Sequence, residues 1–141
     1  MKFTTIALAA GLFAGASHAE VVTYDCSLHN LEQGWISERV LLSVDAENKR
    51  ARAYDVYIHE LDGQPKDVKL KTTRKGEYRM TWKMNIPMST GGTAYVSYTA
   101  TLNPKTQKLN LLARFPQVNA TNRPRGSGPC KVQQGESLYG S

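Results

Sequence analysis

Short runs in which apolar and polar residues alternate make up most of the chain after Glu20. Apolar residues at every second position are typical of a β-strand with one buried face, whereas an amphipathic helix needs a period of about 3.6 residues. An eighth, shorter run around Cys130 and Val132 follows seven longer ones. The apolar positions of those seven are, in order, Val22, Tyr24, Cys26 and Leu28; Val40, Leu42 and Val44; Tyr54, Val56 and Ile58; Val68 and Leu70; Tyr78, Met80 and Trp82; Ala94, Val96, Tyr98, Ala100 and Leu102; and Leu109, Leu111, Ala113 and Phe115. The pattern therefore predicts about eight short strands and no long helix.

The segments between these runs are short and rich in residues that adopt turn conformations. They cover residues 45–49, 61–64, 73–76, 89–92 and 103–106. Parallel strands would need crossovers of about a dozen residues or more, for which there is no room. The sequence thus predicts an all-β fold, a single antiparallel β-barrel or sandwich of about eight strands whose meander resembles a lipocalin. We expect this domain to cover residues 20–134 and a flexible C-terminal tail to follow over 135–141.

Residues 1–19 have the features of a secretory signal peptide. Lys2 provides a positively charged start, residues 6–16 form an apolar run without charge, and small residues stand at Ser17 and Ala19. This order is typical of signal peptides, and the apolar run is too short to span a bilayer. We therefore expect cleavage after Ala19 and a periplasmic or secreted protein without a transmembrane segment.

The two cysteines lie on the first and last predicted strands. Cysteines of exported proteins usually pair, because the compartment is oxidising. A disulfide between Cys26 and Cys130 would require these strands to be neighbours, which favours a closed barrel over an open sheet. The alternative is a redox or metal-binding thiol pair, but the chain has no Cys-x-x-Cys motif and no cluster of histidines.

The composition describes a basic globular protein. Hydrophobic residues make up 40% and charged residues 21% of the chain, which excludes the disordered and membrane-embedded classes. The formal net charge is +6. This charge is unevenly distributed, because acids outnumber bases between residues 20 and 62 and bases outnumber acids between residues 63 and 141.

The densest basic segment is a predicted hairpin over residues 66–83. Since Val68, Leu70, Met80 and Trp82 are predicted to point inward, the period of two places the intervening bases on one outer face. The anion-binding candidates are Lys69, Lys71, Arg79 and Lys83 on the strands and Arg74 and Lys75 at the tip. A purely structural interpretation is a solvated face whose lysines guard a hairpin edge against pairing with other chains. The functional interpretation is a surface for an anionic lipid headgroup, lipopolysaccharide, a charged glycan or an acidic protein.

Two further features bear on the kind of partner. Nucleic acid is disfavoured, because the large aromatic residues of the hairpin are on its inward face and cannot stack on bases. Residues 123–130 add two arginines beside glycines and prolines. This segment is interpreted as a turn-rich approach to the disulfide, where glycine permits close backbone contact. A phosphate-cradling loop is the alternative, but no helix start follows it.

Candidate catalytic residues are few. Asp55, Tyr57 and His59 would form a row on one face of a predicted strand, which suggests a small hydrolase as one hypothesis. No serine or cysteine lies in a motif such as Gly-x-Ser-x-Gly, and His29 and His59 are too far apart to indicate a metal site by spacing. We expect no metal, no cofactor and no enzymatic activity.

A ligand pocket is a second alternative. Trp35, Trp82, Met84 and Met88 could wall one mouth of the barrel, with the loop 85–92 as an adaptable lip, which would suit a carrier of small apolar ligands. The large inward side chains favour a packed interior instead. The architecture resembles exported lysozyme inhibitors and lipocalin-like binders only in its strands and disulfide, and this resemblance identifies no functional residue. The leading hypothesis is a non-enzymatic exported binding module with a basic face for an anionic partner.

Overall fold

The chain folds as a closed barrel of eight antiparallel strands in meander order. This computed structural model describes residues 20–29, 34–118 and 123–140. The predicted signal peptide, residues 1–19, lies outside these ranges. The elements are β1 (Val22–Ser27), β2 (Arg39–Asp45), β3 (Arg50–Tyr54), α1 (Val56–Asp62), β4 (Lys66–Thr72), β5 (Tyr78–Pro87), β6 (Thr93–Asn103), β7 (Lys108–Arg114) and β8 (Arg125–Gln133). The predicted all-β antiparallel fold is confirmed, and the choice between barrel and sandwich is settled as a barrel.

Two strands change neighbours halfway along their length, so the barrel consists of two sheets. The first three residues of β4 pair with β3, whereas its last four pair with β5. Likewise, β8 pairs with β7 through residues 125–129 and with β1 through residues 130–133. We call the sheet that contains β1, β2 and β3 sheet A, and the sheet that contains β5, β6 and β7 sheet B.

The interior is filled by the alternating apolar residues. On β6, for example, Val96, Tyr98, Ala100 and Leu102 are buried, whereas the residues between them are more exposed. The Trp82 ring stacks on Tyr98, with centroids 5.5 Å apart. These large side chains pack into one hydrophobic core cluster that draws on all eight strands and α1. The predicted inward positions thus build a packed core.

The third predicted strand, at Tyr54, Val56 and Ile58, is wrong beyond its first position. The strand ends at Tyr54, and residues Val56–Asp62 form the helix α1. The Asp55 carboxylate accepts a hydrogen bond from the Ile58 N–H at 2.9 Å, which caps the first turn. Gly63 ends the helix in the left-handed conformation with φ of 70°. In this segment the helix caps, Asp55 and Gly63, indicate the observed structure better than the alternation of apolar residues does.

The predicted disulfide is confirmed. Cys26 and Cys130 are directly opposite on β1 and β8, and both are buried in the core. Gly128 lies beside this link, where β8 approaches β1 closely. A Cβ atom on Gly128 would stand 1.8 Å from the carbonyl oxygen of Ser27. Glycine at this position therefore allows the contact that the sequence suggested for the segment before Cys130.

The rest of segment 123–130 differs from its prediction. It is not a turn-rich loop, because β8 begins at Arg125 and pairs with β7 up to Pro129. The backbone groups are satisfied by this ladder and are not free to cradle a phosphate. In the described part of the chain, no helix is long and apolar enough to cross a membrane.

The predicted flexibility of residues 135–141 stays a prediction, and residues 137–139 lie against the outside of sheet A. The Leu138 N–H donates to Ser43 Oγ at 2.9 Å, and Arg52 donates to the Leu138 carbonyl at 3.3 Å. The guanidinium carbons of Arg50 and Arg52 lie 4.2 and 4.5 Å from the centroid of the Tyr139 ring. These contacts cover the middle of β2 and β3.

Candidate functional site: the basic face of sheet B

The bases of the predicted hairpin lie together on the outside of the barrel. Lys69 is opposite Thr81, and Lys71 is opposite Arg79. Lys69, Lys71, Arg79 and Lys83 are all exposed, as the period of two predicted. Arg74 and Lys75 are exposed in the turn between the strands. The structure therefore brings all six anion-binding candidates onto one hairpin.

The structure extends this surface across the other strands of sheet B. The register places Thr99, Leu112 and Arg125 in one row with Thr81 on successive strands. A second row continues from Arg79 through Thr101, Asn110 and Ser127, and a third from Lys83 through Ser97 to Arg114. We call the outward residues of these rows the basic face; they are Lys69, Lys71, Arg79, Thr81, Lys83, Ser97, Thr99, Thr101, Asn110, Leu112, Arg114, Arg125 and Ser127.

Arg114 was not among the sequence candidates, and Arg125 was considered only as part of the segment 123–130. Alternation along β7 would have placed Arg114 outward, but only the pairing of strands shows that both arginines share a face with the hairpin bases. In the described strands of sheet B, from residue 69 of β4 to residue 129 of β8, no aspartate or glutamate points outward. The nearest outward carboxylate on β4 is Asp67, which pairs with Arg52. The basic face is therefore a continuous band of bases, hydroxyls and amides.

The outward arginines of sheet A are paired with carboxylates, unlike those of the basic face. Arg39 contacts Asp25 at 2.8 Å, and Arg50 contacts Asp45 at 2.7 Å. Arg52 pairs in the same way with Asp67 at 2.7 Å. The hydrogen bond from Arg39 is the main reason why the pKa of Asp25 is lowered. Among the described residues, no such ion pair involves a base of the basic face.

Edge protection does not account for most of this charge. In a closed barrel most of each strand has a neighbour on each side, so lysines on its paired segments have no open edge to guard. Lys71 and Arg79 lie where β4 and β5 are paired. Arg114 and Arg125 also lie on paired segments, opposite residues of β6 and β7 respectively. Like charges directly opposite one another, such as Lys71 and Arg79, destabilise a sheet. Repulsion between these bases therefore destabilises the barrel, and no ion pair among the described residues offsets it.

One interruption in the barrel wall lies at the side of this face. The ladder between β4 and β5 ends at the pair Lys69 and Thr81, although β5 continues to Pro87. The two strands then diverge, and a groove of about 740 Å³ opens between them. We call it the seam groove; it is lined by Lys66, Asp67, Val68, Lys69, Thr81, Trp82, Lys83 and Ser97. The indole N–H of Trp82 is buried and has no hydrogen-bond partner among the described residues.

A second groove lies across the same face. It has a volume of about 350 Å³ and runs along β6, β7 and β8. We call it the far groove; its lining residues are Thr99, Thr101, Asn110, Leu111, Leu112, Arg125, Gly126 and Ser127. Each groove therefore combines hydroxyl groups with at least one base.

The four predicted pocket residues do not form one pocket. Trp82 and Met84 are buried in the barrel, whereas Trp35 and Met88 line an outer recess of about 350 Å³ at one mouth. The Trp35 ring packs edge-on against Phe115 there, with centroids 5.0 Å apart. The predicted lip is shorter than expected, because residues 85–87 belong to β5.

The predicted catalytic row is absent, because its residues lie at the start of a helix and not on a strand. Asp55 is buried and caps α1, and burial raises the pKa of its carboxyl group. The Tyr57 hydroxyl donates to the Gly34 carbonyl, and His59 Nδ1 contacts the Tyr54 hydroxyl. The part of the chain that the structure describes holds no group of three or more potential metal ligands.

Comparisons with known proteins give no assignment. No protein-family model matches this chain, and no significant match was found among curated proteins or solved structures. The site must therefore be interpreted from its own geometry.

Proposed function

We propose that this protein is a non-enzymatic binding module whose basic face meets an anionic partner. The contrast between the two sheets carries the proposal. The outward arginines of sheet A are neutralised by carboxylates within the chain, whereas the bases of sheet B have no such partner among the described residues.

Electrostatics supports a role in attraction. Neighbouring strands lie about 4.8 Å apart, so bases in adjacent positions are well within the screening length of roughly 8 Å at physiological salt. Their fields add, and a surface of one sign raises the local concentration of oppositely charged ligands. An anion bound there would also relieve the repulsion between Lys71 and Arg79.

Export is part of the proposal. The disulfide is consistent with an oxidising compartment, and the sequence of residues 1–19 supports passage through a membrane and cleavage after Ala19. We propose a periplasmic or secreted location. The possible partners there are an anionic glycan, a lipid headgroup surface or an acidic protein.

The other hypotheses draw less support from the structure. A carrier of apolar ligands is left with the shallow recess beside Trp35, because the side chains of the core cluster occupy the interior. A hydrolase would require Asp55 and His59 to act together, but Asp55 is engaged in capping the helix. The basic face is the stronger candidate.

Charge removal tests the proposed function. The variant K69Q/K71Q/R79Q/K83Q should bind heparin, poly-L-glutamate and phosphatidylglycerol vesicles more weakly, by roughly tenfold or more, because four exposed ionic contacts are lost. Binding of the unmodified protein should weaken steeply as salt is added. Isothermal titration calorimetry at low and high salt measures both effects.

The matched control is K49Q/K105Q/R123Q/K131Q. It removes the same charge from four exposed bases outside the basic face and should keep most of the affinity. Equal losses in both variants would show that only net charge matters, and this result would contradict the proposal. If a fatty acid bound with an affinity that neither salt nor either quadruple variant changed, this result would favour the recess beside Trp35 as the binding site.

A further inference from the structure

We propose that the partner is an acidic polysaccharide whose chain lies across the five strands of the basic face, from the seam groove to the far groove. This inference rests on the proposed function and specifies the ligand class. The shared chemistry is a sugar chain that bears carboxylate or sulfate groups.

The register defines the path of the chain. Lys69, Thr81, Thr99, Leu112 and Arg125 are opposite one another on β4, β5, β6, β7 and β8. Four strand spacings of about 4.8 Å separate the first from the last, which gives a row of about 19 Å. The seam groove contains the Lys69 end, and the far groove contains the Arg125 end. The row therefore has a base in a groove at each end, with two threonine hydroxyls and the side chain of Leu112 between them.

The residues between the bases fit a ligand that has hydroxyl groups of its own. Serine, threonine and asparagine side chains both donate and accept hydrogen bonds, whereas lysine and arginine only donate. The rows of the basic face combine these two kinds of residue, as in Arg79, Thr101, Asn110 and Ser127. A sugar chain with acidic groups offers acceptors to the bases and both donors and acceptors to the hydroxyls.

Other anionic partners fit this surface less well. Protein interfaces depend on buried aromatic and apolar anchors near their centre, but Leu112 is the one apolar side chain in the three rows of the basic face. Single-stranded nucleic acid needs aromatic stacking platforms, and a stable membrane contact needs apolar insertion in addition to charge. The three rows offer neither.

The seam groove supplies a reporter for this site. Trp82 lines the groove, and its indole N–H is an unused donor among the described residues. The chain has only one other tryptophan, Trp35, in the recess at the mouth. In a W35F background, emission from Trp82 therefore reports on the seam groove alone.

The experiment compares sugar chains of two lengths and two chemistries. Heparin-derived and polygalacturonate-derived oligosaccharides, each as a disaccharide and a decasaccharide, are titrated into the oxidised full-length protein carrying W35F. We expect the decasaccharides to shift the emission of Trp82 and to bind at least tenfold more tightly than the disaccharides. Heparin carries both sulfate and carboxylate groups, whereas polygalacturonate carries carboxylates alone. Tighter binding of the heparin decasaccharide would therefore show that sulfate adds to the affinity, and equal or tighter binding of the polygalacturonate decasaccharide would show that carboxylates suffice.

Substitutions at the two ends test the path. K69Q and R125Q should each weaken decasaccharide binding by roughly two- to fivefold, in line with the loss of one exposed ionic contact. K131Q, an exposed base on sheet A, should leave it unchanged. T81V/T99V keeps the charge and the strand-forming shape of the side chains. It should weaken the binding of the sugar chains more than the binding of poly-L-glutamate of equal charge. Circular dichroism checks that each variant is folded.

Several outcomes would overturn the inference while leaving the proposed function intact. The first is equal affinity for short and long sugar chains. The second is tighter binding of poly-L-glutamate, single-stranded DNA or phosphatidylglycerol vesicles than of either decasaccharide. The third is a T81V/T99V variant that binds all ligands with the affinity of the W35F parent. If no polyanion binds in a way that depends on the bases of the basic face, both the inference and the proposed function fail.

Discussion

At the scale of single residues, aspartates of this chain differ according to what surrounds them. Hydrogen bonds from Asn48 and Arg50 lower the pKa of Asp45, so this carboxylate stabilises the fold at neutral pH and loses that effect on acidification. Asp55 is buried without a basic partner, and desolvation raises its pKa. The folded state therefore holds the Asp55 proton more tightly than the unfolded state.

This difference predicts the behaviour of two substitutions at Asp55. Ionisation of the buried carboxyl costs stability as the pH rises from its ordinary pKa through the raised value. D55N keeps an oxygen that can cap α1 and removes the charge, so its stability relative to the parent should increase between acidic and neutral pH. D55A loses the cap and should be less stable than D55N by about 0.5–2 kcal/mol. Urea unfolding at several pH values measures both.

A parent and a D55N variant with the same pH dependence would contradict this account of Asp55. The matched variant E60Q removes one negative charge from an exposed acid on the same helix and controls for the loss of charge alone.

The sequence predicted which side chains face outward within one strand, but not which residues of different strands share a face. The period of two placed Lys69, Lys71, Arg79 and Lys83 outward correctly, because their strands alternate regularly. Arg125 needed information from elsewhere in the chain. Its place on the basic face follows from the pairing of β8 with β7, which no local pattern contains.

At the scale of elements, alternation located strands well where the inward residues are large. It failed around β3, where the inward residues are Ala51 and Ala53 and give a weak signal. The neighbouring Tyr54, Val56 and Ile58 gave a stronger but misleading one. The caps of α1, Asp55 and Gly63, were the available signal for the helix.

The close approach of β8 to β1 gives a prediction at this scale. G128A places a methyl group within bonding distance of a backbone oxygen on β1, so the strands must move apart. We expect a loss of about 1–3 kcal/mol or more in the free energy of unfolding, as for other overpacked sites. Denaturant unfolding of oxidised protein provides the measurement.

S127A is the control for G128A, because Ser127 precedes it and faces outward. It should change stability by less than about 0.5 kcal/mol. If G128A were as stable as S127A, the described contact between the two strands would be incorrect.

At the scale of the whole molecule, the disulfide closes a loop across 104 positions of the chain. In the chain-entropy model a loop of about a hundred residues contributes roughly 4.7 kcal/mol, a large share of the roughly 5–15 kcal/mol available to a domain. C26A/C130A should therefore unfold at much lower urea concentration than the oxidised protein. Reduction of the unmodified protein should produce a similar shift, and unchanged midpoints would contradict this role.

The architecture of the whole molecule was predictable from the turn spacing and the two cysteines. Short turns require sequential strands to be antiparallel neighbours, and the disulfide requires the first and last strands to be neighbours. The charge pattern along the chain also anticipated a spatial division, since β1–β3 carry the acid-rich part and β4–β8 the base-rich part. What the sequence did not contain is the division of β4 and β8 between two sheets. The division of β4 opens the seam groove, at which we place one end of the ligand.

The position of the disulfide also determines how the barrel would open. β1 and β8 are held by a covalent bond, whereas β4 has two short ladders, three residue pairs with β3 and the four pairs with β5 from Lys69–Thr81 to Thr72–Tyr78. A molecule that loses the pairs between β4 and β5 becomes an open sheet, with β4 and β5 as its two margins. Lysines at a sheet margin discourage association with other chains. In such a transiently opened molecule, the bases that attract a partner to the closed barrel would therefore act as protection against aggregation.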